Sequence, residues 1–235
     1  MKKPVKKPDR FAAFVLRLLL CALPAAVRAD GISAWYGRFS GAATGTACAV
    51  GNSVVAQRGT ETVGPWAEFP PVPISPGGSV TVTFTVKPGA PLSADSDTQL
   101  RVALVSTADG DPPVLASMRG FVLCGGLEKQ KWITRLWERI SPPQFPASAR
   151  GSANLAKNVA AENWPRPDSF RVVMTVTKKA AKEFDVTGFW GGETFSFRAV
   201  KTENDYANFC AVGFINGDGT GCDRIEFNKV RVTGN

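Results

Sequence analysis

From about residue 80 onward the chain alternates apolar and polar positions in short runs separated by Gly, Pro, Asn and Asp, the pattern of an all-β sandwich or barrel. The cleanest run is Val80-Thr81-Val82-Thr83-Phe84-Thr85-Val86, lying between Pro76-Gly77-Gly78 and Pro88-Gly89. Its period of two buries one face of a strand and leaves the other wet. Gln99–Val105 follows, with Leu100, Val102 and Leu104 on one side, then a turn at Asp109-Gly110-Asp111-Pro112-Pro113 and a weaker strand over Val114–Leu123. In the second half, Phe170–Thr177 is rich in β-branched residues, and Phe184–Thr187 answers it across a turn. Gly191-Gly192 breaks the run before Thr194–Val200, and Tyr206–Ile215 with Arg224–Val232 read as a final pair.

Two stretches depart from this pattern. In Lys131–Ile140, Trp132, Ile133, Leu136, Trp137 and Ile140 fit one face of a short helix better than one face of a strand. Pro146–Pro167 is small, polar and irregular, and reads as a long surface loop.

The first 29 residues read as a separate element. Lys2, Lys3, Lys6, Lys7 and Arg10 precede a mostly apolar run, Phe11–Leu23, which ends in small residues and Val27-Arg28-Ala29. That is the order of a secretory signal peptide cleaved after Ala29, and the run is too short to span a bilayer, which takes about 20 residues. The expected mature chain, 30–235, is a single β-sandwich domain, secreted or periplasmic, with no membrane span. Removing the signal changes the charge picture. It carries +6 of the formal +8, leaving +2, which gives no electrostatic footprint for nucleic acid. Lys178-Lys179 with Lys182 is the one dense basic spot left and reads as the solvated end of a hairpin.

Four cysteines remain: Cys48, Cys124, Cys210 and Cys222. An even number in an exported chain suggests two disulfides. Of the three pairings, Cys210–Cys222 with Cys48–Cys124 is preferred, the first closing a short loop and stabilising by about 3 kcal/mol in the loop-entropy model. Zinc is disfavoured by the lack of histidine and of closely spaced cysteines.

The order of the pieces resembles the concanavalin A-like lectin/glucanase jelly roll, and more closely small exported bacterial sandwich domains. The resemblance rests on Ser75-Pro76-Gly77-Gly78-Ser79 opening Val80–Val86, on Leu100–Leu104, on the late hairpin, and on Phe227-Asn228-Lys229-Val230-Arg231-Val232. The last is similar to the family's Phe-Asp-Asn-Val ending, with Asn228 and Lys229 in place of Asp and Asn. The resemblance implies a two-sheet antiparallel jelly roll, in which Lys131–Ile140 would be a strand rather than the helix its spacing suggests, and polysaccharide as the kind of partner, although fold alone is a weak guide to activity.

A retaining glycosidase of this fold needs two carboxylates about 5 Å apart. Glu183 and Asp185, at i and i+2, would share one side of a strand; the competing reading is an exposed edge beside lysines. Without histidine there is no Ser-His-Asp or Cys-His arrangement. No cofactor is expected. Calcium is the one metal suggested, by Asn216, Asp218 and Thr220 with Asp223, although the twelfth loop position is Phe227 rather than the bidentate Glu.

The aromatics give the better lead. Sugar rings stack on aromatic planes, and Trp66, Trp164 and Trp190 lie beside Gly or Pro in loop-like contexts. The first expectation is therefore an exported, non-catalytic binding module for a glycan or cell-surface polymer. A small polysaccharide hydrolase or lyase using Glu183 and Asp185 is the second. A structural envelope or interaction protein without a small ligand is the third.

Overall fold

A computed structural model describes residues 34–37, 47–50, 53–57, 65–92, 95–106, 119–140, 152–217 and 220–235. The expected signal peptide, Asp218 and the side chain of Cys48 lie outside the described residues.

The described chain is β1 (Ala34–Gly37), β2 (Ala47–Val50), β3 (Ser53–Gln57), β4 (Pro65–Pro73), β5 (Ser79–Pro88), β6 (Asp95–Ser106) and β7 (Arg119–Glu128). It continues through β8 (Lys131–Arg139), β9 (Ser152–Asn163), β10 (Phe170–Ala180), β11 (Glu183–Trp190), β12 (Glu193–Lys201), β13 (Asn208–Asn216) and β14 (Arg224–Gly234). Two seven-stranded antiparallel sheets result. The first runs β1-β4-β13-β6-β7-β8-β9 and the second β12-β11-β10-β5-β14-β3-β2. This is the expected all-β two-sheet jelly-roll sandwich.

The core lies between the sheets. Val80, Val82, Phe84 and Val86 of β5 meet Leu100, Val102 and Leu104 of β6, Phe121 and Leu123 of β7, and Val212 and Phe214 of β13. Phe84 makes edge contacts with Phe214 at 4.9 Å and with Trp190 at 6.5 Å, geometries that favour aromatic pairs. Gly125 on β7 is required here. A Cβ would fall 2.5 Å from both the Trp132 and the Trp190 rings.

Four sequence expectations change. Lys131–Arg139 is strand β8, not a helix. It is buried on both faces, with Trp132 and Leu136 toward the core and Ile133 and Trp137 on the far side, which erases the period-two signal. The expected loop 146–167 contains β9, whose small residues pair with β8 from Arg139↔Ser152 to Lys131↔Asn163. Trp66 belongs to β4 rather than to a loop. β13 and β14 do not pair: β13 lies between β4 and β6, whereas β14 lies between β3 and β5. The connection between them crosses from one sheet to the other.

That crossing undoes the Cys210–Cys222 pairing. Asn216 Nδ2 donates to Cys222 O at 2.9 Å, which places Cys222 at the far end of β13. Six residues of strand separate Asn216 from Cys210, about 20 Å, whereas a disulfide needs Cα atoms within about 7 Å. The Cys222 thiol instead donates to Arg224 O at 3.0 Å and accepts from the Ala90 N–H at 3.3 Å. Cys124 is buried on the far face of β7, and no disulfide is formed among the described residues. In β14 a bulge separates Asn228 from Arg231 and holds Lys229 at φ 56°.

Candidate functional site

A cavity of about 360 Å³ opens at one end of the sandwich. One rim is the β5–β6 connection, Lys87–Leu92; the other is the β9–β10 connection, Trp164 with Arg166–Asp168. Both rims are pinned. Gly89 N–H donates to Arg224 O at 2.8 Å, Ala90 N–H to the Cys222 sulfur, and buried Leu92 anchors the end of the first rim. Opposite, Trp164 N–H donates to Gln130 O at 2.8 Å and its indole Nε1 to Gly191 O. Gly191 has φ 63°, and a Cβ there would fall 2.8 Å from Trp164 Nε1. The close approach therefore needs glycine.

The three tryptophans expected to hold ligand are thus separated. Trp164 lines the cavity, but it is 5% exposed and its ring packs 4.5 Å from Trp132. Little of its ring is therefore free to stack on a ligand. Trp190, at 1% exposure between Phe84 and Trp132, is core, and the expectation of an exposed ring there is corrected. Its position at a strand end resembled a loop in sequence, but the side chain points inward.

Trp66 lies on the outer face of the first sheet, in one row across five strands: Trp66↔Gly213↔Ala103↔Val122↔Trp137. Four strand spacings put the two indoles about 19 Å apart, with small residues between them. The next row on one side holds Arg101, Cys124, Arg135 and Lys157; the Arg101 guanidinium stands 5.4 Å over the Trp137 ring. On the other side is Arg139. This face is buried: Ala103, Val122, Cys124, Trp66 and Trp137 form a cluster of their own. Sequence reasoning missed it because only the pairing register brings these residues into rows.

The candidate carboxylates share the outer side of the second sheet, as the i, i+2 spacing implied, while Phe184 and Val186 point into the core. Each is neutralised. Lys201 pairs with Glu183, and Arg198 with Asp185 at 3.0 Å. The Ala199 N–H, at 2.9 Å, together with Arg198 and Lys179, holds the Asp185 carboxyl below the usual carboxylate range despite some desolvation. An acid held ionised in this way is the reverse of a general acid, which needs a raised pKa.

The loop oxygens proposed for calcium are already in use. Asn216 Oδ1 accepts from Thr220 Oγ1 at 2.7 Å, and Asn216 Nδ2 donates to Cys222 O. Thr220 is fully buried, Asp223 is exposed, and among the described residues no group of three His, Cys, Asp or Glu converges. Hydrogen bonding within the turn explains Asn216 and Thr220 without an ion.

Two further polar residues escaped the sequence. Glu138 is fully buried and accepts from the backbone N–H of Glu203 and Asn204, from Asn204 Nδ2, and from the Tyr206 hydroxyl at 2.8 Å. Burial, then the Glu138 charge, pushes the Tyr206 hydroxyl far above its usual range, so Tyr206 serves as a fixed donor. Lys178, expected at a solvated hairpin end, is buried and donates to Tyr206 O at 2.8 Å, with Asp205 at 2.6 Å. Together these contacts tie the β12–β13 connection to β8 and β10.

Neither a protein-family model nor a curated protein matches the chain. Among solved structures it is similar to the carbohydrate recognition domain of Emp46p in its potassium-bound form, with 12% identity, TM-score 0.50, and coverage of 84% of this chain and 87% of that one. It is equally similar to a Bacillus subtilis protein of unknown function with a galectin-like fold, with 12% identity, TM-score 0.50, and coverage of 86% and 90%. The chain thus shares the two-sheet sandwich fold of these structures.

Proposed function

We propose that this chain is an exported, non-catalytic carbohydrate-binding domain that holds a glycan or cell-surface polymer in the end cavity. The observation that carries this reading is the cavity itself. About 360 Å³ lies within the range of small-molecule sites, roughly 300–1,000 Å³. Its walls are Trp164, Pro88, Pro91 and Pro167, and its polar heads are Lys87, Arg166 and Asp168. Apolar walls suit the faces of a sugar ring, and a few polar groups suit its hydroxyls. Rims held by backbone hydrogen bonds lose little entropy on binding. The carbohydrate recognition of Emp46p, on the same fold, agrees with this reading.

Pull-down on a panel of insoluble polysaccharides should retain the domain. Ala90→Trp places a large side chain in the cavity from an exposed position and should abolish retention with the melting temperature unchanged. Retention of the blocked variant, or failure of the wild type on every polymer, defeats the proposal.

A further inference from the structure

Arg166 is the one rim residue held in a costly conformation. It has φ 52° and stands between Pro165 and Pro167. A residue before proline is ordinarily driven to extended backbone, and the left-handed region is unfavourable for a residue with a Cβ. Such strain persists only where the surrounding structure imposes it, and it clusters at binding sites. Here the pinned Trp164 on one side and buried Phe170 on the other fix the segment. The strained residue lines the cavity together with Lys87, and both are exposed. Among the described residues Asp168 is the single acid of the lining, which with Lys87 and Arg166 gives a net charge of one cation.

From this we infer that the ligand is an anionic saccharide unit, its carboxylate or sulfate held by the Arg166 guanidinium and the Lys87 ammonium. The inference rests on the cavity being the glycan site. A planar guanidinium suits a two-oxygen anion, and a lysine beside it adds a point charge. A neutral sugar would leave the one excess positive charge of the lining without a counter-charge, whereas an anionic one supplies it.

Calorimetric titration with an oligouronate, a sulfated oligosaccharide and a neutral cello-oligosaccharide tests this. The wild type should bind one of the two anionic probes at least about tenfold more tightly than the neutral one, the worth of one charge-assisted hydrogen bond. The probe preferred tells carboxylate from sulfate. The preference should fade between about 0.1 M and about 1 M salt, as the screening length drops from about 10 Å to about 3 Å. Arg166→Gly removes the guanidinium and adopts the left-handed backbone without strain, so it should lose the preference while melting no lower than the wild type. Lys87→Gln, at an exposed site, should weaken anionic binding in the same direction. Equal binding of neutral and anionic probes, or an undiminished preference in Arg166→Gly, overturns this inference and leaves the glycan reading standing. Binding of no probe overturns both.

Discussion

The two outer faces of the sandwich are built on opposite rules. On the second sheet, β5 alternates without a break: Val80, Val82, Phe84 and Val86 are buried, while Thr81, Thr83 and Thr85 are half-exposed. Its neighbour β10 follows suit, and Thr81 and Thr175 hydrogen-bond across the pair at 2.9 Å. On the first sheet, β7 is buried continuously from Gly120 to Leu127. Here the outward residues are Ala103, Val105, Val122, Cys124 and two tryptophans, with Arg101 and Arg139 buried among them. One sheet has a wet back; the other is largely buried on both sides. The difference shows that alternation reports solvent on the second face of a strand rather than the strand itself.

The comparison is broken most severely by placing a charge on each face. Val122→Lys puts an ammonium into the buried outer face of the first sheet and should cost about 3 kcal/mol or more. Thr83→Lys, at the matching outward position on the second sheet, should stay within about 0.5 kcal/mol. Urea unfolding of the pair measures the contrast, and similar costs would mean that the two faces are alike. A smaller effect of opposite sign is expected at Arg139. Among the described residues its Nε and Nη2 are buried with no hydrogen-bond partner, and burial lowers its pKa to about 10. Arg139→Met should therefore raise stability, by about 1–2 kcal/mol, because it removes an uncompensated desolvation cost; a lower melting temperature would contradict this. The smallest effect belongs to Asp185, on the wet face. Its folded pKa is depressed, so its contribution is present above the unfolded value of 3.8 and is lost as pH falls through the lower folded value. Asp185→Asn should remove that contribution at neutral pH and flatten the acid limb of the stability curve. Unchanged pH dependence would show that the Arg198 and Ala199 contacts count for little.

The candidate site was only partly readable from sequence. Trp164 lies between strands beside a proline, as its sequence context indicates, and it lines the cavity; its burial is not legible in sequence, since it depends on Trp132 from β8 and Gly191 from the β11–β12 turn. Arg166 and Lys87 carried no sequence signal. They are far apart in the chain and share a cavity only because the β5–β6 and β9–β10 connections meet at one end. Glu183 and Asp185 fell on one side of a strand as their spacing implied, yet their partners Lys201 and Arg198 come from the pairing of β11 with β12.

By itself the sequence determined the sandwich class, five strands of the second sheet (β5, β10, β11, β12 and β14) and the turns that bound them. Those features follow from local alternation and from Gly and Pro, which act over a few residues. Tertiary structure alone decided that Lys131–Arg139 is a strand, that β13 and β14 belong to different sheets, which tryptophans are core, and where the cations gather. Each of these depends on which segments lie side by side, and that is set by burying the core as a whole rather than by any residue's neighbours in the chain.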